Sequence, residues 1–277
     1  MSKSKKYIIT EQKIARYIKE GRGSGRKEDY KPWINIQNIS SKGRSSRIKG
    51  FTSNRIHQLL SDLEAKCFYT LEWDDSIYDI REQYPLLDRD MAMNIARDKN
   101  IKYPIDVESK TPIVMTTDFL ITKIENGRLV DEAITVKYKK DLENKRVIEK
   151  FEIEKEYWNK KGIHWSIVTE DQINQVKIDN IVWMHKSYNL NDLINEYENI
   201  DKNKVDELLK NLISEVYNES NKDKRLLSLT DKLDYKNNTK PGTALNLFKY
   251  LTINKIIDIN IKKDLIRNPV IKDILEV

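Results

Sequence analysis

IVMTTDFLITKIENGRLVDEAITVKYKK, residues 113–140, decides the fold class. Residues 113–124 are rich in β-branched and aromatic side chains, ENGR (125–128) supplies an Asn-Gly turn, and LVDEAITVKYKK runs back. Two strand-type runs around such a turn predict a β-hairpin. Asp118 sits mid-strand among Met115, Phe119, Leu120 and Ile121. In the returning strand, alternation puts Ala133, Thr135 and Lys137 on one face and Ile134, Val136 and Tyr138 on the other. Both faces of a central strand are covered, so a lysine there needs a reason. An acid and a lysine on adjacent strands make either a buried salt bridge, which is costly and adds little net stability, or part of a functional site.

Upstream, IHQLLSDLEAKCFYTL (56–71) carries Ile56, Leu59, Leu60, Leu63, Cys67, Phe68 and Leu71 as a broad apolar stripe and predicts a helix. Glu64 lies on or beside that stripe, where an acid is costly without a partner or a metal. SIYDIREQYPLL (76–87) reads as a strand and a turn, and 88–112 as irregular surface. Downstream, 142–162 reads as a long amphipathic helix ended by Gly162, IHWSIVTE (163–170) as a buried strand and 171–186 as a helix. Strands, a long helix and a further strand describe a mixed α/β sheet. Beyond 187 come short helices at 190–200, 204–218 and 243–254, and KIIDINIKK (255–263) with VIKDILEV (270–277) could pair as strands. Three helices and a small β-wing would make a winged-helix-like module. The expected division is 1–187 and 188–277.

The 277 residues are 39% hydrophobic and 34% charged, enough for one large domain or two ordinary ones. No apolar run approaches a membrane span of ~20 residues. The start, MSKSKKYIIT, has no apolar signal core, and the single Cys67 excludes an internal disulfide framework or a cysteine zinc site. A cytoplasmic protein is expected. Of the net charge of +6, residues 1–60 contribute fifteen Lys and Arg against four Asp and Glu. Such a basic segment suits a polyanion. TEQKIARYIKE (10–20) predicts a helix capped by Thr10, with Ile14, Tyr17 and Ile18 on one face. GRGSGRKED follows a helix and lacks a GK[ST] ending, so it reads as a linker and not a phosphate loop. The Ser/Gly-rich basic loop 40–50 offers Lys42, Arg44, Arg47 and Lys49, with Arg55 beyond it, as DNA-phosphate contacts.

Two carboxylates, Glu64 and Asp118, with Lys137 at a mixed sheet suit Mg²⁺-dependent phosphodiester hydrolysis, because Mg²⁺ takes hard oxygen ligands and keeps several waters. Lys137 would orient water and offset charge on phosphorus. His57, His164 and His185 are scattered singly, and no Ser-His-Asp or Cys-His arrangement is apparent. Glu149, Glu152 and Glu154 fall on the long helix, where most glutamates are solvated; Glu154 is placed to reach the site indirectly. The tryptophans at 33, 73, 158, 165 and 183 fall mostly at core positions.

The ordered set Glu64, Asp118, Lys137 resembles the PD-(D/E)xK nuclease pattern of restriction endonucleases. The blocks LLSDLE, DIREQYPLL, MTTDFL, AITVKY and GIHWSIVTE, in this order, are similar to the TnsA-type endonuclease subunits of heteromeric cut-and-paste transposases. The general pattern has an acid two residues before the lysine, and this chain has Thr135. The resemblance implies that Glu64 replaces that acid as metal ligand beside Asp118, and that a backbone carbonyl near Val136 fills another position on Mg²⁺, with Mn²⁺ as a substitute. It further implies a restriction-endonuclease-like mixed sheet with flanking helices, a winged-helix-like C-terminal domain, and cleavage of the 5′ strands at transposon ends. Implied partners are DNA, a DDE-type transposase subunit that cuts and joins the 3′ ends, and an AAA+ regulator contacted by the C-terminal domain, acting at the bacterial nucleoid. The rivals are a stand-alone restriction or repair nuclease and a non-catalytic DNA-binding adaptor.

Overall fold

The hairpin at 113–140 is the centre of a four-stranded sheet in the computed structural model, which describes residues 8–38, 44–196 and 202–276. Its strands are β3 (Ile77–Pro85), β4 (Thr116–Glu125), β5 (Arg128–Val136) and β6 (His164–Val168), in that order across the sheet. The first three run antiparallel and β6 runs parallel to β5. Parallel neighbours need a crossover, which α4 (Lys145–Lys160) supplies between β5 and β6. The turn residues Asn126 and Gly127 both have positive φ, 50° and 74°, as a tight hairpin of this twist requires.

Helix α2 (Asp62–Glu72) covers one face of the sheet. Its Leu63, Cys67, Phe68 and Leu71 pack with Ile80, Phe119, Ile121, Ile134 and Val136. The other face carries α3 (Arg89–Asp98) and α4, with Ala92, Ile95, Ile153 and Trp158 against Leu120 and Ala133. Helix α3 lies within the stretch expected to be irregular. Its Ala92, Ile95 and Ala96 recur at helical spacing, and Asp88 accepts from the Met91 amide at 3.0 Å as its N-cap. The helix expected from 56 begins at Asp62 instead. Residues Ile56–Leu59 form β2, antiparallel to β1 (Ser46–Lys49), where His57 and Leu59 alternate inward and Ile48 and Leu59 pack on the α2 side of the core.

The N-terminal segment covers the outer edge of β3. Helix α1 (Glu11–Lys19) starts at Thr10, whose hydroxyl accepts from the Lys13 amide at 3.2 Å. It buries Ile14 and Tyr17 and leaves Ile18 exposed. The expected linker that follows is packed: a Cβ on Gly23 would lie 2.2 Å from Pro85, and the Lys27 amide bonds Asp79 at 3.1 Å. Tyr30 donates its hydroxyl to the Glu82 carbonyl at 3.0 Å and the Trp33 amide to the Gln83 carbonyl at 3.2 Å. An exposed strand edge is thereby closed.

The chain divides into units 1–173 and 174–277, so α5 (Gln175–His185), expected before the boundary at 187, packs with the second unit. That unit adds α6 (Leu190–Glu196), α7 (Lys202–Val216), α8 (Leu226–Asn237), α9 (Thr243–Ile253) and α10 (Ile271–Ile274). Helix α8 was not foreseen. The Asp234 carboxylate takes the Thr239 hydroxyl and the Gly242 and Ala244 amides, which fixes the turn from α8 into α9. Among the described residues no β-wing forms: Ile259 and Leu275 make a single bridge, and Ile271–Ile274 is helical because Ile271 and Ile274 are both fully buried as one helical turn. No helix of the described residues is long and apolar enough to cross a membrane.

Candidate metal and DNA-cleavage site

The site forms where β4 and β5 part. Their ladder ends at Phe119 opposite Ile134; beyond it Thr116 and Thr117 stay with β3, whereas Val136 pairs with Val168 of β6 and the Lys137 amide bonds the Val168 carbonyl at 3.0 Å. The Val136 amide is left facing the gap, and the Asp118 carboxylate accepts from it at 2.7 Å through Oδ2. Asp118 is also where β4 changes faces, since Thr117 contacts α4 residues and Phe119 packs under α2. A side chain at such a pivot points along the gap instead of into either core.

Glu64 enters from the other side of the gap, in the first turn of α2. Ser61 caps this helix by accepting from the Glu64 amide at 3.1 Å, and Glu64 reaches back to the Ser61 hydroxyl and the Leu60 amide, both at 2.9 Å. This variant of a capping box holds a buried carboxylate at the helix start. Gln83 of β3 lies between the two acids and donates its side-chain amide to Glu64 Oε2 at 3.3 Å and to Asp118 Oδ1 at 3.4 Å. Burial pushes the Glu64 carboxyl far above the usual carboxylate range, and the Asp118 charge adds to this. Burial likewise raises Asp118, against the opposing pull of the Val136 amide, the Lys137 charge and Gln83.

Lys137, expected mid-strand, instead follows the last residue of β5 and is half-buried. Among the described residues it closes no ion pair with Asp118, so the buried salt bridge does not form. Thr135, standing where the nuclease pattern has an acid, turns to the α4 face and donates to Glu154 at 2.5 Å. Glu154 is buried and also accepts from Thr117 at 2.7 Å and Trp165 at 3.2 Å. Burial raises its carboxyl to about 7. Glu149 and Glu152 pair with Arg146 and Lys99 at the surface.

Of the basic candidates, Arg44, Arg47 and Lys49 are exposed, and β1 alternates so that Ile48 packs on the core while Arg47 and Lys49 face out. Lys42 lies outside the described residues. Arg55 has another employment: it is 8% exposed and grips Glu82 at 2.8 and 2.5 Å. His57 joins the same carboxylate at 2.8 Å and meets the Ser53 hydroxyl at 2.5 Å on its other nitrogen. The order Ser53, His57, Glu82 has the form of a nucleophile triad, which the scattered histidines did not suggest. All three are sealed, at 1%, 0% and 0% exposure, so the arrangement is a core hydrogen-bond chain. Gln83 was missed as a site residue, since a neutral amide in a strand-type run gives no charge signal.

Among the described residues no group of three or more His, Cys, Asp and Glu side chains is arranged to hold a metal ion by itself. The gap offers two hard carboxylates, Glu64 buried and Asp118 half-buried. That donor set fits a cation that keeps several waters, as Mg²⁺ does, and does not fit zinc.

Two family models match the chain, a TnsA-like endonuclease N-terminal domain over residues 74–170 and a TnsA endonuclease C-terminal domain over 172–261. The transposon Tn7 transposition protein TnsA of Escherichia coli is 38% identical over 257 residues, covering 92% of this chain and 88% of that protein. Five ordered sequence blocks, a mixed sheet with acids at its open end, and similarity along nearly the whole chain agree: the chain belongs to the TnsA family of transposon endonucleases.

Proposed function

We propose that this chain is the Mg²⁺-dependent subunit that cuts the 5′ strands at transposon ends. One observation supports this most: Glu64 and Asp118, from separate elements, converge in the gap between β4 and β5 with no cation paired to either among the described residues. Glu64, Asp118 and the Val136 carbonyl would hold the ion, which would supply an activated water and neutralise charge on the phosphate. Glu64 is already fixed by Ser61 and Leu60, and Asp118 by the Val136 amide, so both meet an ion with little reorganisation. Lys137, beside Asp118, orients the attacking water and offsets charge building on phosphorus. Lys42, Arg44, Arg47 and Lys49 contact DNA phosphates. A DDE-type transposase subunit processes the 3′ strands, and the second unit binds DNA and an AAA+ regulator.

The test is cleavage of end-labelled transposon-end DNA by the reconstituted transposase carrying Asp118→Ala. The 5′-strand cut should disappear while the 3′-strand cut persists. A 5′ cut that survives would refute the assignment and favour an adaptor role.

A further inference from the structure

We infer that Gln83 is a positioning residue that holds the Glu64 and Asp118 carboxylates convergent for a divalent cation, an inference that rests on the metal-dependent reading above. Gln83 is 2% exposed. It is the one side chain among the described residues given hydrogen bonds to both acids, and it uses the same nitrogen for the two. Thr116 donates its hydroxyl to Gln83 Oε1 at 3.3 Å, which fixes the amide with its donors toward the carboxylates. Ser61 and Leu60 hold only Glu64 and the Val136 amide holds only Asp118, so Gln83 is the donor that ties the two acids to each other, against the repulsion of like charges.

The backbone is committed to the same end. Gln83 has φ +48°, a left-handed conformation that is uncommon for a residue other than Gly, Asn or Asp. The twist breaks strand alternation. Glu82 lies with His57 and Arg55 on the α2 side, whereas Tyr84, two residues on, packs near Trp158 of α4 with ring centres 5.8 Å apart. An ordinary strand would place Glu82 and Tyr84 on one face and carry Gln83 to the opposite one. Strain of this kind persists only where the surroundings over-determine it, and here they do. Arg55, His57 and the Gln58 amide clamp the Glu82 side chain, Tyr30 holds the Glu82 carbonyl, and Trp33 holds that of Gln83. Partners that orient metal-binding side chains typically change metal affinity about 10–100-fold when removed.

The test is Mn²⁺ binding by the full chain, read by calorimetry, beside thermal unfolding in metal-free buffer. Gln83→Met keeps the length and apolar volume but lacks the amide. It should weaken Mn²⁺ binding at least about tenfold while leaving the metal-free melting temperature within about 2 °C of wild type. Thr116→Val, which frees the Gln83 amide without touching either acid, should weaken binding in the same direction by a smaller factor. Gln83→Met binding Mn²⁺ as tightly as wild type would overturn the inference and leave the metal site standing. If Gln83→Met does not fold, Thr116→Val at full affinity overturns it equally. A wild-type chain that takes up no Mn²⁺ overturns the metal reading and this one together.

Discussion

Adjacent residues of β3 meet carboxylates that are treated in opposite ways: Glu82 is itself one, and Gln83 touches Glu64 of α2 and Asp118 of β4. Glu82 is fully buried and would be pushed up by that burial, but His57 and the Arg55 guanidinium more than offset it and hold the carboxyl far below its ordinary range. Every oxygen of Glu82 has a cationic partner. Glu64 and Asp118 are given neutral donors only, from Leu60, Ser61, Gln83 and Val136, and both are raised. The first set is finished within the fold. The second has the Lys137 charge nearby but no ion pair among the described residues, and a bound cation would provide the missing positive charge. Burial of charge alone therefore does not mark a functional site; burial without a countercharge does.

The contrast can be broken by removing one member of each set. Asp118→Ala should lower 5′-strand cleavage by more than about a hundredfold yet leave metal-free stability unchanged or raised, because a like-charge contact is relieved. Arg55→Met should act on stability first. It strands Glu82 as a buried anion and should cost about 3–5 kcal/mol of folding stability, measured by urea unfolding.

The folded-state pKa of Glu154, about 7, lies above its unfolded value near 4.5. The native state therefore holds the proton more tightly, and the stabilisation is fully present below pH 4.5 and lost as pH rises through 7. Metal-free protein should lose at most about 3 kcal/mol from this group between pH 4.5 and 8, and Glu154→Gln should flatten that part of the slope in melting scans. The smallest effect is at the surface. Arg47→Ala or Lys49→Ala should each weaken DNA binding a few-fold and reduce the salt slope by about 1.

Where local pattern and long-range packing agree, the sequence is legible. The Asn126-Gly127 turn between β-branched runs gave β4 and β5, and the cap at Thr10 gave α1. Ile56, Leu59, Leu60 and Leu63 satisfy a helical period by accident of two elements meeting, so β2 read as the start of α2. Helix α3 carried its signal in Ala92, Ile95 and Ala96, which are weak apolar markers beside so many charges. Within the site, Glu64 and Asp118 stood out because acids in apolar stripes are conspicuous. The Arg55–Glu82 pair joins residues 27 apart, and Gln83 owes its position to a backbone angle; neither leaves a mark in composition or spacing.

Anomalous diffraction from crystals soaked in Mn²⁺ would locate an ion held by Glu64 and Asp118. The expected result is density within ligand distance of both Glu64 and Asp118, with Lys137 beside it and Glu82 still bound to Arg55. A well-ordered gap without density, with the Lys137 ammonium drawn onto Asp118, would contradict it.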